Sequence, residues 1–436
     1  MRQPDSRKQI ADSRRAVSLA ISYLLSAFLL ACSKKEPPVP PPPTPDQIRA
    51  AHIAEAPDDS AERKNLLNIA RGAAVVSRTA EITLDNSALR AIDGDPRSDW
   101  MTPGDDQAQT LTFSLGARSR IDEIGASSAP QAAAKNIRYE SSLDGKTFTP
   151  LATQTLNRAW GDQLITVKPP VEANYIRVST LDGFHTFVDL RSVVAHGAEV
   201  APPQPRSISG CWSINTFPAA IVESGSAAFG WLDQGERLWL DGGFDGRVWR
   251  FVFARGPQIG MIAFSMSPDN TRISGLKWFE DADPKKLSDS LFGERQKCTI
   301  PPPKLSVDVL RTFLERHLWV PLYGLRFDDA NQLVPAQSAF AVRELARLIH
   351  DVAPRPVRLV SRELRGADAK SDLAVSQARL ESLRAELQRQ KIDVSRVTFV
   401  AAGRESYHTA VWSEIMRTMQ SGIEMDIPGK QIADSR

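Results

Sequence analysis

Asn136-Ile137-Arg138-Tyr139-Glu140 alternates apolar and polar residues, and Ser142-Leu143-Asp144-Gly145-Lys146-Thr147-Phe148 follows directly. Successive side chains on a strand point to opposite faces, so this alternation predicts a half-buried strand. Asp-Gly readily adopts the positive φ of a tight turn, which makes the whole stretch a β-hairpin. Comparable runs flank it: Thr110-Leu111-Thr112-Phe113-Ser114-Leu115 upstream and Tyr175-Ile176-Arg177-Val178-Ser179 downstream. Residues 68–199 therefore read as one all-β region.

The order of these runs, with Ala91-Ile92-Asp93-Gly94-Asp95-Pro96 and Asp99-Trp100 near the start, resembles the discoidin or coagulation-factor type C family. The resemblance implies a jelly-roll β-sandwich whose loops at one end bind sugars or lipid head groups. Trp160, Phe184 and His185 fall in expected loops and are the candidate sugar contacts, whereas Trp100 reads as core. The family often holds a structural calcium near its Asp-Gly-Asp stretch, because hard cations favour clustered oxygen ligands. That makes Asp93, Asp95 and Asp99 candidate calcium ligands, the one cofactor expected here. The alternative is plain Asp-Gly and Asp-Pro turns without metal, since Ser192 stands about where the family returns a glutamate.

Pro202-Pro203-Gln204-Pro205 and Pro301-Pro302-Pro303 divide the rest of the chain, because proline suits neither a helix interior nor a central strand. Residues 206–300 carry Gly210-Cys211-Trp212, Gly230-Trp231, Leu238-Trp239-Leu240, Val248-Trp249-Arg250-Phe251 and Lys277-Trp278. Short strands at near-regular spacing predict a small antiparallel β-barrel or sandwich, with the aromatic residues as core. It is faintly similar to lipocalin- or avidin-like barrels.

Residues 304–410 change period. Leu322–Phe327 is strand-like, Val342, Leu345, Ala346, Ile349 and Val352 follow helical spacing, and Val357–Val360 is a strand. Leu380, Leu383 and Leu387 mark a second helix, and Val397–Val400 closes a βαβαβ unit of α/β class. These features, with Tyr323-Gly324-Leu325-Arg326-Phe327-Asp328 and Ser376-Gln377-Ala378-Arg379, resemble the OmpA-like peptidoglycan-binding domain. In that family an aspartate and an arginine grip the zwitterionic end of diaminopimelate in the stem peptide. The resemblance implies those roles for Glu363 and Arg379. The chain departs from the family at Val360-Ser361-Arg362-Glu363, where Gly-His-Thr-Asp is usual, and at Asp372, where asparagine is usual. Residues 411–436 read as a C-terminal tail.

At the other end, Arg2, Arg7, Lys8, Arg14 and Arg15 precede an apolar run that closes on Leu29-Leu30-Ala31-Cys32. That is a charged leader with an apolar stretch too short for a comfortable transmembrane span. Its last residues resemble the lipobox of bacterial lipoproteins. The resemblance implies a signal peptide over 1–31 and an acylated Cys32. With Ser33 following, it implies export to the outer membrane, facing the periplasm. Residues 32–67 then hold the lipidated cysteine and a proline-rich spacer. With Cys32 occupied by lipid, Cys211 and Cys298 remain as a pair, and an oxidising compartment predicts a disulfide between them.

Without the five basic and two acidic residues of the leader, 49 Lys and Arg face 50 Asp and Glu. No basic stripe remains, so nucleic acid is not an expected partner. Catalytic templates are missing as well: there is no Gly-x-Ser-x-Gly, His-Glu-x-x-His, phosphate-binding glycine loop or Cys-x-x-Cys. The expected function is a non-catalytic outer-membrane lipoprotein that binds or tethers to peptidoglycan. A glycan or an envelope protein is the expected partner of the sandwich. One alternative is an accessory carbohydrate- or protein-binding module of an envelope complex, with the OmpA-like region as scaffold. The other is a cell-wall or glycan hydrolase.

Overall fold

The Asp144-Gly145 turn closes the expected hairpin. Gly145 has φ +72°, and the Asp144 carboxylate accepts the N–H groups of Lys146 and Thr147, each at 2.8 Å. A β-carbon at Gly145 would lie 2.9 Å from the Tyr175 ring, so both backbone and space require glycine here. The structure is a computed structural model that describes residues 65–103, 108–131, 133–184, 187–204, 206–279, 288–299, 308–363, 368–404 and 413–428. Cys32, with the leader and spacer around it, and His185 lie outside these residues.

Eight strands build the sandwich: β1 (Ala74–Arg78), β2 (Trp100–Pro103), β3 (Gln109–Ser127), β4 (Ala134–Ser142), β5 (Thr149–Thr155), β6 (Gln163–Gly183), β7 (Phe187–Leu190) and β8 (Ser192–Glu199). β3 and β6 form a long antiparallel ribbon whose register breaks between Ser114 and Ser119. One half of the ribbon is extended by β1 on β3 and β4 on β6, and the other half by β8 on β3. Trp100, Phe113, Ile124, Tyr139 and Ile176 are fully buried in the core that results.

The second region closes into an eight-stranded antiparallel barrel, which decides between the two architectures expected for it. Its strands are β9 (Gly210–Ile214), β10 (Phe217–Ser224), β11 (Ala227–Asp233), β12 (Arg237–Phe244), β13 (Trp249–Arg255), β14 (Gln258–Met266), β15 (Arg272–Phe279) and β16 (Asp289–Gln296). Trp212, Trp249, Phe251, Phe253 and Phe264 fill the interior with aliphatic neighbours. Trp212, Trp249 and Phe251 are core, as read, whereas Trp231, Trp239 and Trp278 lie outside the interior cluster and the last two are half-buried. The Cys211–Cys298 disulfide is formed, beside the seam where β9 meets β16.

β13 shows why the parts of the chain are not independent. Every residue from Trp249 to Ala254 is buried. Trp249, Phe251 and Phe253 enter the barrel interior, while Val252 and Ala254 face outward into a second core. That second core runs continuously from Leu66 in the sandwich to Ile427 near the C-terminus. The regions on either side of the proline clusters therefore share one apolar interior.

In the C-terminal region, α1 (Val309–His317), α2 (Pro335–Asp351), α3 (Ala369–Arg389) and α4 (Glu414–Gln420) accompany a four-stranded sheet. Its order is β17 (Trp319–Pro321), β20 (Gly422–Asp426), β18 (Val357–Arg362) and β19 (Val397–Gly403). β18 and β19 are parallel and joined through α3, as the periodicity predicts. Two expectations need correction. The strand expected over Leu322–Phe327 lies earlier, at Trp319–Pro321, because the barrel engages the backbone that follows. Ser226 Oγ donates to the Gly324 carbonyl at 2.7 Å and Arg326 Nη1 donates to the Asp245 carbonyl at 2.6 Å. A β-carbon at Gly243 would lie 2.6 Å from the Tyr323 oxygen, so the two chains touch through backbone.

The second correction concerns the expected tail. Residues 414–426 form α4 and the inner strand β20, antiparallel to both β17 and β18. Ile423 and Met425 are buried on this strand, and its acids are neutralised from β18: Arg362 Nη2 meets Glu424 and Arg358 Nε meets Asp426, both at 2.7 Å.

Two arginines, half-buried Arg206 and buried Arg250, fasten the regions. Arg206 donates to the carbonyls of Leu115 and Gly116 in the sandwich and of Met266 in the barrel. Arg250, on the outer wall of β13, donates to the carbonyls of Thr418 and Ser421 at 2.7 Å each, next to the Tyr323 ring. The Thr418 carbonyl also accepts the Ser421 N–H at 3.2 Å, and Arg250 supplies the charged donor that both carbonyls share. Arg250→Met is expected to lower stability by about 2–4 kcal/mol. Urea unfolding of the wild type, followed by tryptophan fluorescence and far-UV circular dichroism, should show one transition. An unchanged midpoint in the variant would show that docking does not depend on Arg250.

Candidate functional site

One end of the sandwich gathers the loops after β3, β5, β6 and β7, and hydrogen bonds between loops show the grouping. Leu156 N donates to the Lys135 carbonyl at 2.8 Å, Phe184 N to the Ala133 carbonyl at 3.0 Å, and Arg191 N to the Ser127 carbonyl at 2.9 Å. Arg158 Nε donates to the Pro130 carbonyl at 2.8 Å, and Arg191 Nη2 to the Pro96 carbonyl. The fold-over of the β3–β6 ribbon explains why loops distant in sequence meet here.

Trp160 and Phe184, two of the three expected sugar contacts, lie in this cluster. The Arg191 guanidinium stands 4.8 Å from the centroid of Trp160. Arg158 and Lys135 stand 5.9 and 5.8 Å from that of Phe184, whose side chain is exposed. Aromatic faces with fixed polar neighbours suit ligands that combine C–H faces with hydroxyl groups. The cations Lys135, Arg158 and Arg191 were not legible as site residues. Each is isolated in the sequence, and only the loop contacts bring them together.

The candidate calcium ligands have separate partners. Asp93 is buried against Arg90 Nη1 at 3.3 Å and accepts the Ser98 hydroxyl at 2.9 Å. Asp95 binds Arg97 at 2.6 Å, and Asp99 accepts Asn86 Nδ2 at 2.6 Å. Among the described residues no group of three or more His, Cys, Asp or Glu side chains is arranged to hold a metal ion. The donor set does not fit calcium, because arginines already supply the positive charge.

Glu363 and Arg379 are brought together, but onto each other. Arg379 Nη1 donates to Glu363 Oε2, and its Nε donates to Asn331 Oδ1 at 3.2 Å. The Glu363 side chain is 4% exposed and that of Arg379 22%. Asp372, in the family's asparagine position, is fully buried and accepts from Arg404 Nε.

Residues 75–189 match the family model of the F5/8 type C domain. Three solved structures illustrate what this part of the chain is similar to. CpGH89CBM32-5 from Clostridium perfringens, solved in complex with GalNAc-β-1,3-galactose, shares 17% identity over 31% of this chain and 100% of its own, with a TM-score of 0.28. The C-terminal domain of a chitobiase from Bacteroides fragilis shares 22% over 30% of this chain and 96% of its own, TM-score 0.27. The family 32 CBM from C. perfringens NanJ, in complex with galactose, shares 18% over 28% and 98%, TM-score 0.25. No curated protein matches the chain.

Asp189, on β7 behind the loops, is buried and accepts the Ala129 N–H at 3.0 Å. Burial first, and then the neighbouring Asp99, push its carboxyl up to about 7. Burial likewise raises Asp93 to about 7 despite Arg90. The folded state then holds protons that the unfolded chain releases near pH 4. The stability these groups contribute is full below about pH 4 and is lost as pH rises through about 7. Wild type should therefore be more stable at pH 5 than at pH 8. Asp189→Asn should flatten that slope and stabilise by about 1 kcal/mol at pH 8. Equal unfolding free energies of the wild type at pH 5 and pH 8, measured by urea unfolding, would contradict the assignment.

Proposed function

We propose that this protein is a lipid-anchored envelope protein that holds a glycan at the loop end of its sandwich and acts without catalysis. The observation that supports this best is the pairing of Trp160 and Phe184 with fixed cations, on the loops of a region that matches the F5/8 type C model. A glycan-binding module needs such a surface. Cys32, acylated, anchors the chain to the outer membrane. The proline-rich spacer then sets the folded part away from the lipid, toward the periplasm. On the OmpA-like reading, the C-terminal region takes the peptidoglycan stem peptide at Glu363 and Arg379. A carboxylate suits its ammonium group and a guanidinium its carboxylate.

A second reading is favoured by the bond between Glu363 and Arg379. Glutamate reaches one methylene further than the family's aspartate, and here it meets the arginine itself. The C-terminal region is then a non-binding scaffold, and the protein is an accessory carbohydrate- or protein-binding module of an envelope complex. Sedimentation with purified sacculi and binding to a glycan array separate the two readings. Trp160→Ala should weaken array binding at least about tenfold while leaving the melting temperature nearly unchanged. If the stem peptide is bound, Arg379→Ala should abolish pelleting with sacculi. No pelleting of wild type leaves the scaffold reading, and no binding to either material removes the glycan function.

A further inference from the structure

We infer that the docking of α1 and α2 on the barrel is proton-sensitive, with the Asp241 carboxyl as its switch. The helices hold to the wall while Asp241 is protonated and loosen when it ionises. Asp241 lies on β12, whose Leu238, Leu240 and Phe244 face the barrel interior. It therefore points outward, in one row with Phe229 of β11 and Val252 of β13. Helices cover that row: Phe340 of α2 stacks on Phe229 with ring centroids 5.2 Å apart, and Asp241 is left 5% exposed. Phe340, Glu344, Arg347 and Asp351 follow at spacings of four and three residues, so they share the face of α2 that meets the wall at Phe229.

That face brings more carboxylates than cations. Arg347 is held by Glu344 at 2.8 Å, by Asp351 at 3.0 Å and by Asp308, the N-cap of α1. Three carboxylates share its guanidinium, and among the described residues no hydrogen-bond donor is bonded to the Asp241 carboxylate. Other charges around the row are engaged elsewhere. Arg250 of β13 serves the carbonyls at the end of α4, Arg237 of β12 stands over the Trp231 ring and 3.8 Å from Asp233 of β11, and Arg311 of α1 meets Glu315 at 2.8 Å. A buried carboxylate with no donor avoids the cost of its charge by keeping its proton. Burial, and then Glu344 and Asp308 against Arg347, push the Asp241 carboxyl well above the usual carboxylate range. With the helices withdrawn, water reaches it and it titrates near about 4. The docked state thus binds a proton that the open state releases, so docking is strongest below about pH 4 and weakens as pH rises.

Hydrogen exchange of the full chain, corrected for the intrinsic rate at each pH, reads this opening directly and needs no ligand. From pH 5 upward, amides of 309–317 and 335–351 should open about tenfold more often per pH unit, until Asp241 ionises in the docked state as well. Asp241→Asn keeps the shape without the charge and should abolish that response. Asp189→Asn, in the sandwich, should leave it in place. Glu344→Gln removes an opposing charge from a half-buried position, so the response should level off at a lower pH, and this variant decides the matter if Asp241→Asn does not fold. No response in the wild type, or an equal response in wild type and Asp241→Asn, overturns the inference. Loss of the response in Asp189→Asn overturns it too, because the proton-sensitive step then belongs to unfolding of the whole chain.

Discussion

A closed barrel whose outer wall is covered along β13 and β14 dominates this molecule. Barrels bury their interior by closure alone, and their outward residues are ordinarily wet. Here the outward positions of β13 and β14, among them Val252, Ala254, Ile259 and Met261, belong to the same core as the sandwich and the C-terminal sheet. Water is excluded on both sides of this part of the wall, so each polar group on it must find a protein partner. Arg250 illustrates the requirement. From the outer face it donates to two carbonyls at the end of α4, and Tyr323 adds a hydroxyl bond to the Met419 carbonyl at 2.6 Å.

That constraint has a functional side. Docking against the barrel engages Arg206, Arg247 and Ser274 with the part of the sandwich formed by Gly72, Glu199 and Val75. The loops carrying Trp160, Phe184 and Arg191 are instead tied to one another. Their cations are oriented by backbone carbonyls, so the surface is formed before any ligand arrives and little ordering cost is left for binding. Buried Asp189, with its raised proton affinity, stands beside those loops on the Ala129 N–H.

Much of the fold could be read before the structure. Alternation and the Asp-Gly turn located the sandwich hairpin, because hairpin geometry depends on a few adjacent residues. Helical spacing located α2 and α3 for the same reason. What escaped were features decided across long separations. β20 is short, and Glu424 and Asp426 look solvent-facing until Arg362 and Arg358 meet them from another strand. The stretch Leu322–Phe327 has strand composition, yet Ser226 and Asp245 of the barrel claim the chain around it. At the candidate site the aromatic residues were legible as bulky residues in loops. Lys135, Arg158 and Arg191 were not, since nothing local distinguishes them from other surface cations.

The central claim is that ligand binds on the loop end of the sandwich and nowhere on the barrel. Hydrogen exchange of the full chain, measured with and without a saturating amount of the glycan bound best on the array, tests it most directly. Slowed exchange confined to 128–134, 156–163 and 183–191 is the predicted result. Protection centred on the barrel strands or on 363–379, with those loops unchanged, would contradict it.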